Sequence, residues 1–291
     1  MKVAIYGLKA SEDQKEFFVE LFAELERKNI QYTVEAAFRD ILESELSMSL
    51  PSEVFSCYED LQESIDMFFT FGGDGTILSA ATIIQDKNIP VVGVNTGRLG
   101  FLATLNMEYL FESLDNILNG EYTISSRSLI EVQTEDAEIE FPFALNEITV
   151  TRRETTSMIT VDAFVNGEFL NSYWADGLII STPTGSTGYS LSCGGPIVHP
   201  GTDTFIVTAI APHNLNVRPY MIADDSVLDL KINSRVGEYF LSLDARNKPL
   251  STDVKLRLKK ANFNIRIVEP HDKTYLMTLR DKMFWGSDRR N

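Results

Sequence analysis

The stretch Asp66-Met67-Phe68-Phe69-Thr70-Phe71-Gly72-Gly73-Asp74-Gly75-Thr76-Ile77-Leu78 decides how this chain folds. Asp66 to Phe71 is a short apolar run and reads as a buried strand. Gly72, Gly73 and Gly75 break it, and Thr76 to Gln85 resumes with Ile77, Leu78, Ala81 and Ile84 on one helical face. A glycine loop between a strand and a helix sits at the strand's carboxyl end, where ligands bind in parallel sheets. Working outward, Val3 to Tyr6, Tyr32 to Ala36 and Pro90 to Val94 read as further strands. Glu12 to Lys28 reads as a helix, with Phe17, Phe18, Leu21, Phe22 and Leu25 on one side. This βαβ series predicts an α/β amino-terminal domain with a Rossmann-like parallel sheet.

After Leu102 the texture changes. A helix is expected over Glu108 to Leu118, and then mostly strands. Met158 to Val165, Asn166-Gly167 and Glu168 to Trp174 form the clearest hairpin, because Asn-Gly supplies the positive φ angles of a type I′ turn. Other strand candidates are Tyr122 to Gln133, Ile148 to Arg152, Gly177 to Ser181, Phe205 to Ile210, Val227 to Ile232, Glu238 to Leu243 and Val254 to Val268. The expected division is an α/β domain at 1–103 and a β-rich, β-sandwich-like domain at 104–276. The tail, 277–291, has a helical character from Leu279 to Gly286 and is expected to pack back on the first domain.

The 291 residues carry a net charge of −16, from 26 basic and 42 acidic side chains. Such a field repels the phosphate backbone of nucleic acids. It leaves room for a small anionic ligand, whose charge backbone N–H groups and a metal ion can offset locally. Cys57 and Cys193 fit no CxxC pattern, and His199, His213 and His271 have no zinc-site spacing. No apolar run approaches the length of a membrane span, so a soluble, cytoplasmic protein is expected, without membrane or nucleic-acid partners.

Three glycines in four residues let the Gly72–Thr76 backbone approach a phosphate chain and point N–H groups at it. Gly72, Gly73, Gly75 and Thr76 are therefore candidates for a phosphate-donor loop. An acidic residue inside an anion-binding loop needs a reason of its own, and Asp74 is the candidate catalytic group. The plain alternative is a tight turn in which Asp74 caps the next helix. A second loop, Asn95-Thr96-Gly97-Arg98-Leu99-Gly100-Phe101-Leu102, also follows a strand and could form another wall of the phosphate site. Asp176 to Pro196 runs from a strand into a loop rich in Gly, Ser and Thr with one aromatic face, Tyr189. Hydrogen-bonding hydroxyls and a surface for stacking are what a nucleoside site needs. Asn146-Glu147 could grip a ribose diol or an adenine edge, though a surface turn would look the same.

Together these motifs resemble the NAD kinases, the family that uses ATP or polyphosphate, over nearly the whole chain. They are GGDGT at 72–76, NTGRLGFL at 95–102, Asn146-Glu147, DGLIISTPTGSTGYSLSCGGP at 176–196 and the stretch Ala211-Pro212-His213 to Arg218-Pro219. GGDGT alone is shared with diacylglycerol-type lipid kinases. The TPTGST-Tyr stretch and the Asn-Glu pair are much more specific. The resemblance implies transfer of the terminal phosphate of ATP, or of another donor, to the adenosine 2′-hydroxyl of NAD. It implies that Asp74 acts on that hydroxyl, that Asp74 and Gly75 also contact NAD, that Gly73, Gly75 and Asn95 serve the donor phosphates, and that Asn146 and Glu147 hold the riboses. It further implies that Asp176 lies near the nicotinamide end, and that Thr187, Gly188, Tyr189 and Ser192 hold the adenosine. Trp174, Ala211 and Arg246 are further NAD-binding candidates. A divalent cation such as magnesium, with no direct protein ligand assigned, and self-association as a dimer or tetramer are implied too. The chain departs from the family at Gly188 and Cys193, where alanine is usual, at Trp174, and at Asp244-Ala245-Arg246. A lipid kinase would need a basic or apolar membrane-facing patch, and a non-catalytic NAD sensor would fit better if Asp74 were replaced.

Phosphoryl transfer to a hydroxyl is mostly positioning and charge neutralisation. A carboxylate is a weak base toward a neutral hydroxyl, so Asp74 is expected to align it first and accept its proton late.

Overall fold

A computed structural model describes residues 1–50, 53–154 and 157–286. The chain divides into two compact units, Met1–Ser125 with Ile265–Asn291, and Ser126–Asn264. The first unit thus extends past residue 103 to take in the helix after it, and it regains the chain at 265 rather than 277.

The first unit opens with β1 (Lys2–Gly7), α1 (Lys15–Arg27), β2 (Gln31–Glu35), α2 (Ala36–Leu46), β3 (Val54–Phe55) and β4 (Met67–Phe71). It continues with α3 (Asp74–Ile84), β5 (Pro90–Asn95), β6 (Leu105–Asn106) and α4 (Met107–Leu118), and β7 (Tyr122–Gln133) leads out of it. Its sheet has the order β3-β2-β1-β4-β5, and every pairing is parallel. Strand order reverses at β1, so the carboxyl ends of β1 and β4 flank the position where such sheets bind ligands. The loop after β4 starts there. Burial of Phe17, Phe18, Leu21, Phe22 and Leu25 fixes α1 on this sheet. Fully burying one such side chain contributes roughly 1.5–3 kcal/mol.

The strand expected over Tyr32 to Ala36 ends at Glu35, and the unexpected α2 follows directly. The Glu35 carboxylate accepts from the Phe38 amide at 2.8 Å and caps the new helix, while Phe38, Leu42 and Leu46 recur every fourth residue on its buried face.

The second unit contains β8 (Phe143–Ala144), β9 (Glu147–Arg152), β10 (Ile159–Val165), β11 (Glu168–Ala175), β12 (Gly177–Ser181), a 3-10 turn at Thr184–Thr187 and the short α5 (Tyr189–Ser192). Then come β13 (Thr204–Ile210), β14 (Tyr220–Ala223), β15 (Leu228–Asn233), β16 (Glu238–Leu243), β17 (Arg246–Ser251) and the start of β18 (Leu256–Pro270). One sheet runs β14-β13-β12-β9-β16-β17 and is antiparallel throughout. Another joins β11, β10, β15 and β18. Val161 and Leu230 of the latter share one core with Val150, Leu178, Val207 and Leu241 of the former. This is the expected β-rich sandwich. Asn166 and Gly167 turn the β10–β11 hairpin with φ of 51° and 82°.

The later part of β18 returns to the first unit, pairing Arg266 and Ile267 with Pro90 and Val91. α6 (Tyr275–Met283) follows, and there Lys282 bonds the Leu99 carbonyl and lies 5.8 Å from the Phe101 ring centre. The last expected tail residues, 287–291, lie outside the described residues. Among the described residues, no helix is long and apolar enough to cross a membrane.

Candidate functional site

The β4–α3 loop is built around Gly72. Its φ is +153°, and a Cβ there would stand 2.1 Å from the Thr76 hydroxyl. Only glycine fits this corner. Gly73 is the N-cap of α3, and its carbonyl accepts from the Thr76 amide at 2.9 Å. A Cβ built on Gly73 or Gly75 would meet no atom within 4 Å. The fold therefore does not require glycine at either position, and both backbones lie bare to solvent.

Asp74 is the first residue of α3 and makes no capping bond with its side chain. Its carboxylate instead reaches three consecutive amides of the second loop. Phe101 N–H donates to Oδ2 at 2.8 Å, and Leu102 and Ala103 N–H donate to Oδ1 at 2.9 and 3.0 Å. A carboxylate offers about four acceptor directions, so one remains, on Oδ2. Gly100 completes the clamp, because a Cβ on it would lie 1.8 Å from Asp74 Oδ1. Asn95, only 3% exposed, serves its own loop. Its side chain donates to the Arg98 carbonyl at 2.6 Å and accepts from Gly97 N–H at 2.8 Å. Arg98 is exposed.

In the second unit, four hydroxyls of the 181–190 segment are fully buried and turned inward. Ser181 and Thr182 bond the backbone at 145–146, Ser186 bonds Pro183 and Val198, and Ser190 meets Thr208. Thr187, Gly188 and Tyr189 of this segment, and Ser192 just after it, the residues expected to hold adenosine, are at least partly exposed. Tyr189 is 44% exposed, which leaves a ring face free for stacking. A Cβ on Gly185 would fall 2.2 Å from the Asn146 carbonyl, so this loop lies directly on the Asn146-Glu147 backbone. A Cβ on Gly188 would lie 3.1 Å from Glu147 Oε2 and 3.6 Å from Asn146 Nδ2. Asn146, Glu147, Gly188 and Tyr189 therefore form one cluster.

Glu147 Oε2 is buried without a hydrogen-bond partner. Burial, and then the nearby Asp244 carboxylate, push its pKa up to about 7, against the pull of the Tyr189 amide. An orphaned buried carboxylate oxygen is costly in a finished fold and natural in a site awaiting a hydroxyl.

The remaining candidates are dispersed in role. Asp176 pairs with Arg152 at 3.0 Å. The half-exposed Trp174 ring stands 4.3 Å from the His213 ring, and Ala211 adopts a positive φ of 44° on the same connection. Arg246 is committed to its neighbours: its guanidinium donates to the carbonyls of Phe141 and Phe143 and lies 4.9 Å over the Phe141 ring. Among the described residues no group of three His, Cys, Asp or Glu side chains could hold a metal ion. A cavity of about 780 Å³ lined by Phe164, Lys231 and Arg257 includes none of these candidates.

A parallel α/β unit with a bare glycine loop and an aspartate aimed across it is the equipment of a phosphotransferase acting on a hydroxyl. Residues 8–122 match the ATP-NAD kinase N-terminal domain, and residues 145–269 match the ATP-NAD kinase C-terminal domain. NAD kinases of Flavobacterium psychrophilum and Bacteroides fragilis are 46% and 38% identical to the chain, each over the full length of both proteins. The fold matches yeast NADH kinase complexed with NADH at a TM-score of 0.86, 24% identity, covering 99% of this chain and 89% of that one. It also matches an NAD kinase from Archaeoglobus fulgidus in complex with ATP at 0.75 and 24%, covering 98% and 99%. The chain belongs to the NAD kinase family.

Proposed function

We infer that this enzyme transfers the terminal phosphate of ATP to the adenosine 2′-hydroxyl of NAD, yielding NADP. Family membership over both units supports the reaction. One observation carries the assignment of its centre: Asp74 is anchored by three amides yet keeps an acceptor direction on Oδ2. There it receives the 2′-hydroxyl hydrogen, aligns the oxygen for attack and takes the proton as transfer completes. The exposed backbone of Gly73 and Gly75 receives the donor phosphates. Asn146 and Glu147 hold ribose hydroxyls, Tyr189 stacks on the adenine, and Thr187, Gly188 and Ser192 complete its pocket.

A divalent cation would enter this site with ATP, and no protein ligand is assigned to it. Bound there, it would offset charge on the donor phosphates. Self-association, with Asp176 near a neighbouring copy's nicotinamide, is part of the same reading.

Incubation of the protein with ATP, magnesium and NAD, followed by detection with an NADP-specific dehydrogenase, tests the reaction. NADP above the enzyme-free control is expected. Its absence, or transfer to diacylglycerol in a parallel labelled-phosphate assay, would overturn it.

Two variants test the assigned roles. Gly75→Ala fills no protein space and replaces glycine inside a helix, a change that favours helix by up to ~1 kcal/mol. The melting temperature should hold or rise while kcat/KM for ATP falls by on the order of tenfold or more, because the methyl group occupies the phosphate approach. Unchanged ATP kinetics would remove the glycine loop from the donor site. Tyr189→Ala should raise KM for NAD with kcat little altered, since stacking acts on ground and transition states alike. A fall in kcat alone would contradict the stacking role.

A further inference from the structure

Asp244 lies in the two-residue turn between β16 and β17, where Leu243 pairs with Arg246. Its φ is 52°, a conformation that glycine or asparagine would adopt as readily. The turn alone therefore gives no reason for a carboxylate. The reason is elsewhere. Asp244 Oδ2 accepts from Leu145 N–H at 3.0 Å, and Oδ1 accepts from Asn146 and Glu147 N–H at 2.8 and 3.2 Å. The Asp244 amide returns a bond to the Glu147 carbonyl at 3.0 Å. Three consecutive N–H groups converging on one anion form a backbone nest.

We propose that Asp244 is a positioning residue for NAD binding: its carboxylate fills the nest at Leu145–Glu147 and so fixes the directions in which Asn146 and Glu147 project toward the ribose. This rests on the kinase reading above and deepens it. Asn146-Glu147 is pinned on two sides, by Asp244 on its amides and by the Thr182 amide, which donates to the Asn146 carbonyl at 2.9 Å. The dipeptide backbone has little freedom left, which lowers the ordering cost of binding.

The carboxylate pair adds a second consequence. Glu147 faces Asp244, the backbone N–H of Tyr189, and the Tyr189 and Cys193 side chains. Arg246 bears on Asp244, and Asp176 bears on Tyr189. Burial raises Asp244 too, against its three amide donors and Arg246. Glu147 has fewer donors to hold its ionised form, so less opposes the upward push of burial on it. With a Glu147 pKa of about 7, its carboxylate is ionised above that pH and is then the stronger acceptor for a ribose hydroxyl. As pH falls through it, the protonated form accepts less well and NAD affinity declines.

The test is calorimetric NAD binding as a function of pH for the wild type, Asp244→Asn and Asp244→Glu, with melting temperatures alongside. Asparagine removes the charge and one acceptor group. It should weaken NAD binding by on the order of tenfold or more at pH 8 and move the acid decline to lower pH. Glutamate keeps the charge but displaces it by one methylene. It should weaken binding while leaving the decline near its wild-type position. A purely structural strut would change melting temperature and affinity without moving the decline. Unchanged affinity and unchanged decline in both variants would overturn the proposal. Should neither variant fold, hydrogen exchange in the wild type decides: slow exchange at Leu145, Asn146 and Glu147 is expected, and unprotected amides there would overturn it. NADP formation by the wild type, measured separately, reports on the kinase reading alone. Wild-type protein that makes NADP while Asp244 variants bind NAD normally would sink only the positioning role.

Discussion

Asp74→Asn should lower turnover by on the order of 10²-fold or more, the usual contribution of a positioned acid–base group. NAD should still bind, because the other groups assigned to ribose and adenine, Asn146, Glu147 and Tyr189, are untouched. The clamp adds a second expectation. A carboxamide must turn its NH2 toward at least one of the Phe101, Leu102 and Ala103 amides, setting donor against donor. Each amide left unpaired costs about 1–3 kcal/mol if it stays dry. The variant should therefore melt earlier as well as turn over more slowly. NADP formation under saturating ATP and NAD, together with a thermal melt, checks both. Near-normal turnover would remove Asp74 from the centre of the reaction.

Gly100→Ala should produce a loss of similar size, on the order of 10²-fold in turnover, without altering any charged or polar group. The added methyl carbon would overlap Asp74 Oδ1, at 1.8 Å, and would lie 2.5 Å from Cγ. Backbone cannot yield that distance cheaply, so the aspartate must rotate off its three amides. The acceptor hydroxyl then loses its aligned partner while the carboxylate itself remains in the chain. Steady-state kinetics should show lower kcat with KM for NAD close to wild type, the pattern of an interaction needed in the transition state. A variant with normal kcat would mean that the clamp is dispensable.

What could be read from the sequence divides along sequence distance. The strand ending at Phe71, the helix that follows and the β10–β11 hairpin are local patterns, and each shows within a few residues of its expected bounds. The hydroxyls of 181–192 were legible as a group. Which of them face outward was not, because that depends on packing against β9 and β13. The two aspartate clamps were invisible. Asp74 bonds amides 27 to 29 residues away, and Asp244 bonds amides 97 to 99 residues away. Backbone N–H groups carry no sequence signature, so only the fold could name them. Arg246 illustrates the converse. It was a candidate for NAD through the family resemblance alone, and its donors go to the carbonyls of Phe141 and Phe143. The helix over Ala36–Leu46 was missed because its capping residue, Glu35, also ends a strand.

The first unit is assembled from two stretches, Met1–Ser125 and Ile265–Asn291, with the whole second unit emerging between them. During synthesis, Pro90 and Val91 of β5 must therefore wait for Arg266 and Ile267. At ~5–20 residues per second, that wait is on the order of ten seconds. For that interval the nascent chain carries an unfinished parallel sheet with an open edge, a template for pairing with other chains. The later-made unit, whose segment is continuous, can complete its own core first. A chain ending at residue 264 thus has the whole of one unit and an unfinished, adhesive other. Such fragments are natural clients for chaperones.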